Sequence, residues 1–154
     1  QINSSDIQEI VSICNHSLYR MKIFIVWCLL MASVEMKLRP DVIIAWENYH
    51  IPHFDKCVEE AGVDPMIPRL MFREINFPDE GDFHCYLKCV FKQNGWLTAD
   101  EDNLNFDTLS QALHVTPDLI KFCIDLVASE PEICRKAYLA VKCAVDDQLS
   151  SMRR

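Results

Sequence analysis

Glycine is scarce in this chain, with three in 154 residues. No stretch alternates apolar and polar residues with period two, no segment repeats, and nothing is of low complexity. These gaps remove the signatures of a half-buried sheet and of a repeat array. The longest run of large apolar residues, Ile23 to Met31, is nine residues, too short to cross a bilayer. Positive charge is also in deficit: 15 Lys and Arg stand against 23 Asp and Glu, a net charge of −8 at pH 7. Such acidity opposes binding to nucleic acid and to anionic membranes.

What the chain does have is apolar side chains, half of all residues, and helical spacing. That suits one all-α domain of six helices with material for a core. Asp41 is a candidate cap for a helix through Val42, Ile43, Trp46, Phe54 and Val58, kinked at Pro52 and stopped by Gly62. Asp64-Pro65 starts a short helix through Leu70 and Met71. From Phe83 to Asn94, Phe83, Tyr86, Leu87, Val90 and Phe91 form one stripe, and Gly95 closes the helix. A short helix from about Asn105 carries Leu109. Thr116-Pro117-Asp118 opens the next, with Leu119, Phe122, Cys123, Leu126 and Val127. Ser129-Glu130-Pro131-Glu132 reads as a capping box for the last, through Ala137, Tyr138 and Val145 to about Leu149.

Cysteine is the abundant exception. There are eight, and six of them, Cys57, Cys85, Cys89, Cys123, Cys134 and Cys143, fall in the last hundred residues, as in a disulfide framework of an exported protein. Met21-Lys22, the apolar run and Ala32-Ser33 have the layout of a signal peptide. The expected organisation is therefore an upstream segment at 1–20 that is untranslated or foreign, a signal peptide at 21–38, and a single domain at 39–154. Cys14 and Cys28 then leave with the leader. Charges over residues 1–38 cancel, three acidic against three basic, so the domain keeps the whole net charge. Cys85 and Cys89 lie four apart on one helix face, and Cys134 and Cys143 nine apart on opposite faces, so each needs a partner on another helix. Six cysteines still allow fifteen pairings.

The intervals between the six are 27, 3, 33, 10 and 8 residues. This pattern, with three residues between the second and third cysteines and eight between the fifth and sixth, resembles the insect odorant-binding proteins, the six-cysteine general odorant- and pheromone-binding family. The likeness spans Asp41 to about Leu149 and extends to Phe77-Pro78 and to Cys85-Tyr86-Leu87-Lys88-Cys89-Val90. It implies a six-helix, disulfide-stapled cage around an apolar cavity, with bonds Cys57–Cys89, Cys85–Cys134 and Cys123–Cys143. It also implies a secreted carrier, in sensillum lymph or haemolymph, that binds small hydrophobic odorants or pheromones. No catalytic residue, cofactor or metal is implied; an olfactory receptor and a second copy of the chain are the further partners.

Carried over by position, the cavity residues are Leu70, Leu87, Phe91, Trp96, Leu97, Leu104, Leu109, Phe122, Leu126 and Tyr138. Phe91 and Trp96 stand where some members place hydroxyl residues, so a bulkier, more aromatic lining is expected, around a pocket of roughly 300–1,000 Å³. Tyr86, Tyr138 and Asn94 are the polar candidates for selectivity. Histidines 50, 53, 84 and 114 offer either pH-dependent release or simple solvated groups. His84 beside two cysteines suggests zinc, but disulfides claim those sulfurs in an exported chain. A secreted phospholipase A2 would need a glycine-rich calcium loop and a His-Asp pair beside adjacent cysteines, which are missing, and the spacings of a saposin-like module do not match. The same scaffold serving a hormone, lipid or toxin remains the alternative function.

Overall fold

The computed structural model describes residues 38–112 and 114–151. The upstream segment expected at 1–20 and the leader, apart from Leu38, lie outside the described residues, and Leu38 already belongs to the core. Pro40, whose ring presets the helical φ, opens α1 (Pro40–His50) behind an extended Arg39, two residues earlier than the Asp41 cap suggested. A 3-10 turn at Ile51–His53 carries the kink at Pro52, and α2 (Phe54–Ala61) ends on Gly62 at φ 68°, a left-handed cap that glycine adopts without strain. The Asp64 carboxylate accepts from the Met66 N–H at 2.9 Å at the start of α3 (Met66–Leu70).

The next helix, α4 (Gly81–Gln93), stops before Gly95 at φ 70°. Asn105 caps α5 (Phe106–Leu109) by accepting from the N–H groups of Asp107 and Thr108, and Thr116 caps α6 (Pro117–Leu126) by accepting from Leu119. At α7 (Ile133–Ser151) the capping differs from expectation. Glu132, immediately before the helix, accepts from Cys134 and Arg135 N–H at 2.9 and 2.6 Å, taking the cap position that the capping box gave to Ser129 with Glu132 three residues in. A carboxylate at that end also meets the positive pole of a long helix. With α1, the turn and α2 taken as one bent rod, the described residues form six helical rods. Strand-like pairing among the described residues is limited to one antiparallel bridge, Leu97 to Leu104.

Helix α4 is the centre, packing most extensively on α7 and next on α2. Phe83, Tyr86, Leu87, Val90 and Phe91 are all buried, each contributing roughly 1.5–3 kcal/mol by burial. Three disulfides join the rods: Cys57–Cys89 (α2 to α4), Cys85–Cys134 (α4 to α7) and Cys123–Cys143 (α6 to α7). These are the pairs that the resemblance implied. Polar ties complete the frame. Arg73 donates to both oxygens of buried Glu47 at 2.7 and 3.0 Å, and buried Lys136 donates to Asn103 Oδ1 at 2.9 Å, holding the 97–104 loop onto α7.

Candidate functional site

Between α1, α4, α6 and α7 lies an apolar cavity of about 90 Å³. From α1 come Trp46, Tyr49 and His50; after α3, Met71 and Phe72; from α4, Leu87, Val90 and Phe91. Trp96 and Leu109 close one side, and Ile120, Cys123, Ile124, Ala140, Val141 and Ala144 the other, with Ala112 and Val115 between. Because α4 turns its cysteines toward α2 and α7, its apolar stripe is divided. Phe83 and Tyr86 pack in the core, the first edge-on to Tyr138 at 6.3 Å, while Leu87, Val90 and Phe91 reach the cavity.

Of the residues carried over from the resemblance, Leu87, Phe91, Trp96 and Leu109 are brought together on this wall. The other six are elsewhere. Phe122 and Leu126 are 60 % and 62 % exposed, because α6 turns Ile120 and Ile124 inward instead. Leu97 and Leu104 are buried but face one another across their bridge. Leu70 is half-buried, one residue short of Met71 and Phe72, which take the wall. Tyr138 is buried beside Phe83 and its hydroxyl donates to the Phe77 carbonyl at 3.2 Å. The cavity is also smaller than the expected several hundred cubic ångströms, since Trp46, Phe72, Phe91 and Trp96 fill much of the space between the rods.

The polar candidates are likewise occupied. Asn94 donates to the carbonyls of Tyr49 and Val90. Tyr86, fully buried, lies 3.0 Å from His50 Nδ1, and burial pushes its hydroxyl pKa well above the usual value. His84 is buried with Nε2 3.0 Å from Asp79 Oδ1, without the alignment of a hydrogen bond, and both sulfurs that might have joined it at zinc are in disulfides. The missed group is His50, 4 % exposed and on the cavity wall. Its position was legible: His50 follows Trp46 by four residues and Val42 by eight, the spacing of one helix face.

Burial lowers the His50 pKa from 6.5 to about 4, against a small opposing pull from Glu47. The unfolded chain therefore takes up a proton at this site below pH 6.5 that the native state refuses until about pH 4. The stability contributed by neutral His50 is present above pH 6.5 and is lost as pH falls through that window, to a limit of about 3 kcal/mol. Denaturant titrations between pH 7 and 4.5, above the range where the lowered carboxylate of Glu47 titrates, are expected to show this slope. A His50→Leu/Tyr86→Phe variant is expected to flatten it.

Comparison with known proteins agrees with this architecture. The PBP/GOBP family model matches residues 50–147, well over half of the chain. The chain belongs to the PBP/GOBP family. This odorant-binding family consists of small-ligand carriers rather than enzymes. General odorant-binding protein 99a of Drosophila melanogaster is 21 % identical over 145 residues, spanning 87 % of this chain and 96 % of that protein. Odorant binding protein 5 of Apis mellifera shares the fold with a TM-score of 0.50 at 22 % identity, over 73 % of this chain and 93 % of that one. Among the described residues no helix of this PBP/GOBP chain is long and apolar enough to cross a membrane.

Proposed function

We propose that the protein is a secreted carrier that encloses one small, uncharged, largely apolar molecule in the cavity beside α4 and delivers it to an olfactory receptor. The observation that carries this reading is the cavity itself. Leu87, Phe91, Trp96 and Leu109 converge on a space that close packing would otherwise fill, since protein interiors leave few voids larger than a water. Three interlocking disulfides tie the rods that form its walls to one another, and burying ligand hydrocarbon there contributes about 25 cal/mol per Å². Family membership and the acidic, disulfide-rich composition support export and carriage.

Both Trp46 and Trp96 lie on the wall, so ligand entry is expected to change indole emission. Trp46→Phe isolates the Trp96 signal once the leader with Trp27 is absent. A ligand of about ten heavy atoms at roughly −0.6 kcal/mol per atom binds with Kd in the tens of micromolar. Titration with a panel of volatile alcohols, esters, aldehydes and ketones checks this. If nothing in the panel binds more tightly than about millimolar, the carrier reading is wrong.

A further inference from the structure

We propose that the ligand of this cavity is a molecule with a single aromatic ring and one hydrogen-bond acceptor, received by the Nε2–H of His50. The inference rests on the carrier reading and narrows it. Its first support is the tautomer of His50. The Tyr86 hydroxyl is completely buried and sits 3.0 Å from Nδ1. A hydroxyl hydrogen enclosed in protein needs an acceptor, and unprotonated Nδ1 supplies one, which leaves the imidazole proton on Nε2. Tyr86 thus acts as a positioning residue, fixing the ring and its proton.

The second support is where that N–H leads. Nε2 makes no hydrogen bond with the described residues, and the neighbouring carboxylate, Glu47, has both oxygens engaged by Arg73. Nor is Nε2 sealed in, because among the described residues the one side-chain polar atom both enclosed and unpartnered is His84 Nε2. His50 has almost no exposure to bulk water yet lines the cavity. The free donor therefore opens onto the ligand space. Burial keeps the ring neutral at ordinary pH, so it favours a neutral acceptor such as a carbonyl or ether oxygen over a carboxylate.

The third support is the shape and chemistry of the wall. Trp46 and Phe72 meet at 5.5 Å, Tyr49 and Trp96 edge-on at 4.9 Å, and Phe91 and Trp96 edge-on at 5.2 Å. Such tilted and T-shaped neighbours offer further ring edges and faces to an aromatic guest. The volume sets its size. A cavity of about 150 Å³ holds benzene; at about 90 Å³ this one is tighter still, so one ring with a short substituent is the largest guest expected and enters only as the wall yields. A sixteen-carbon chain would require the rods to separate against their disulfides.

The test compares acetophenone with ethylbenzene, which keeps the ring and the two-carbon substituent but lacks the acceptor, and with hexadecan-1-ol. Native protein is expected to bind acetophenone roughly tenfold more tightly than ethylbenzene, about the worth of one buried hydrogen bond. Because His50→Leu alone would strand the Tyr86 hydroxyl, the variant is His50→Leu/Tyr86→Phe, in which that ratio falls to about one whatever the change in ethylbenzene affinity. Independently of any variant, acetophenone is expected to shift the His50 Nε2 resonance in ¹⁵N spectra of the native protein, and ethylbenzene to leave it in place. Equal affinities for the matched pair, an unmoved Nε2 resonance, or tighter binding of hexadecan-1-ol overturns the inference while leaving a carrier. Failure of all three probes and of the wider panel instead overturns the carrier reading itself.

Discussion

Replacing Cys85 and Cys134 together by alanine is expected to lower stability by about 4 kcal/mol and the unfolding midpoint by roughly 10–20 °C. The bond closes a loop of sequence separation 49, the longest of the three, against 32 for Cys57–Cys89 and 20 for Cys123–Cys143. In the chain-entropy account the cross-link acts by restricting the unfolded ensemble, and the restriction grows with the logarithm of loop length. It also joins α4 to α7, the most extensive helix pair, so the unbridged chain loses the constraint that brings its two largest faces together. Denaturant and thermal melts of the double variant beside the parent, both without reductant, measure the difference. A loss below about 1 kcal/mol would mean that the packing of α4 on α7 alone sets the native pairing.

Leu87→Trp is expected to weaken binding of a single-ring ligand at least tenfold, about 1.4 kcal/mol or more. Leu87 is 2 % exposed and points from the middle of α4 into the cavity, so an indole there occupies the ligand's space. Overpacking costs about 1–3 kcal/mol of stability, which a disulfide-stapled fold tolerates, and the helical circular dichroism is expected to persist. Ala140→Leu, filling the same space from α7, is expected to act in the same direction with less strain. Phe122→Ala, on the solvent face of α6, is expected to change affinity by less than about twofold. Fluorescence titration checks all three. Unchanged binding in Leu87→Trp and Ala140→Leu would mean that the ligand sits elsewhere.

The parts of the fold written in local chemistry were legible in the sequence. Thr116 before Pro117, Gly62 and Gly95 after their helices, and the kink at Pro52 each act through one or two residues of backbone geometry, and each appears where the residue types place it. The cap of α7 was placed three residues early because Ser129 and Glu132 both suit a capping position, and the local backbone path decides which of the two takes it. The stripe on α4 was legible as buried, yet its division between core and cavity was not. Helical periodicity reports which side of a helix avoids water and is silent on whether protein or empty space lies opposite.

Helix α6 shows where tertiary structure alone decided. At 100° per residue, Cys123 stands between two apolar flanks: Ile120, Ile124 and Val127 on one side, Leu119, Phe122 and Leu126 on the other. Both read equally well as an inward face, and the disulfide to Cys143 constrains only the line between them. Packing resolved the ambiguity by placing the β-branched flank toward α7 and the cavity and leaving Phe122 and Leu126 in water. The sequence by itself determined an all-α chain and most of its helix starts and stops, and the cysteine intervals carried the resemblance to the family, which in turn implied the three bonds. The tertiary structure decided which flank of α6 builds the cavity, how little space the aromatic rings leave, and that the buried face carrying His50 borders that space rather than solid core. Caps and cysteine spacings act along the chain, whereas the rotation of a helix about its own axis is set only by the neighbours it meets.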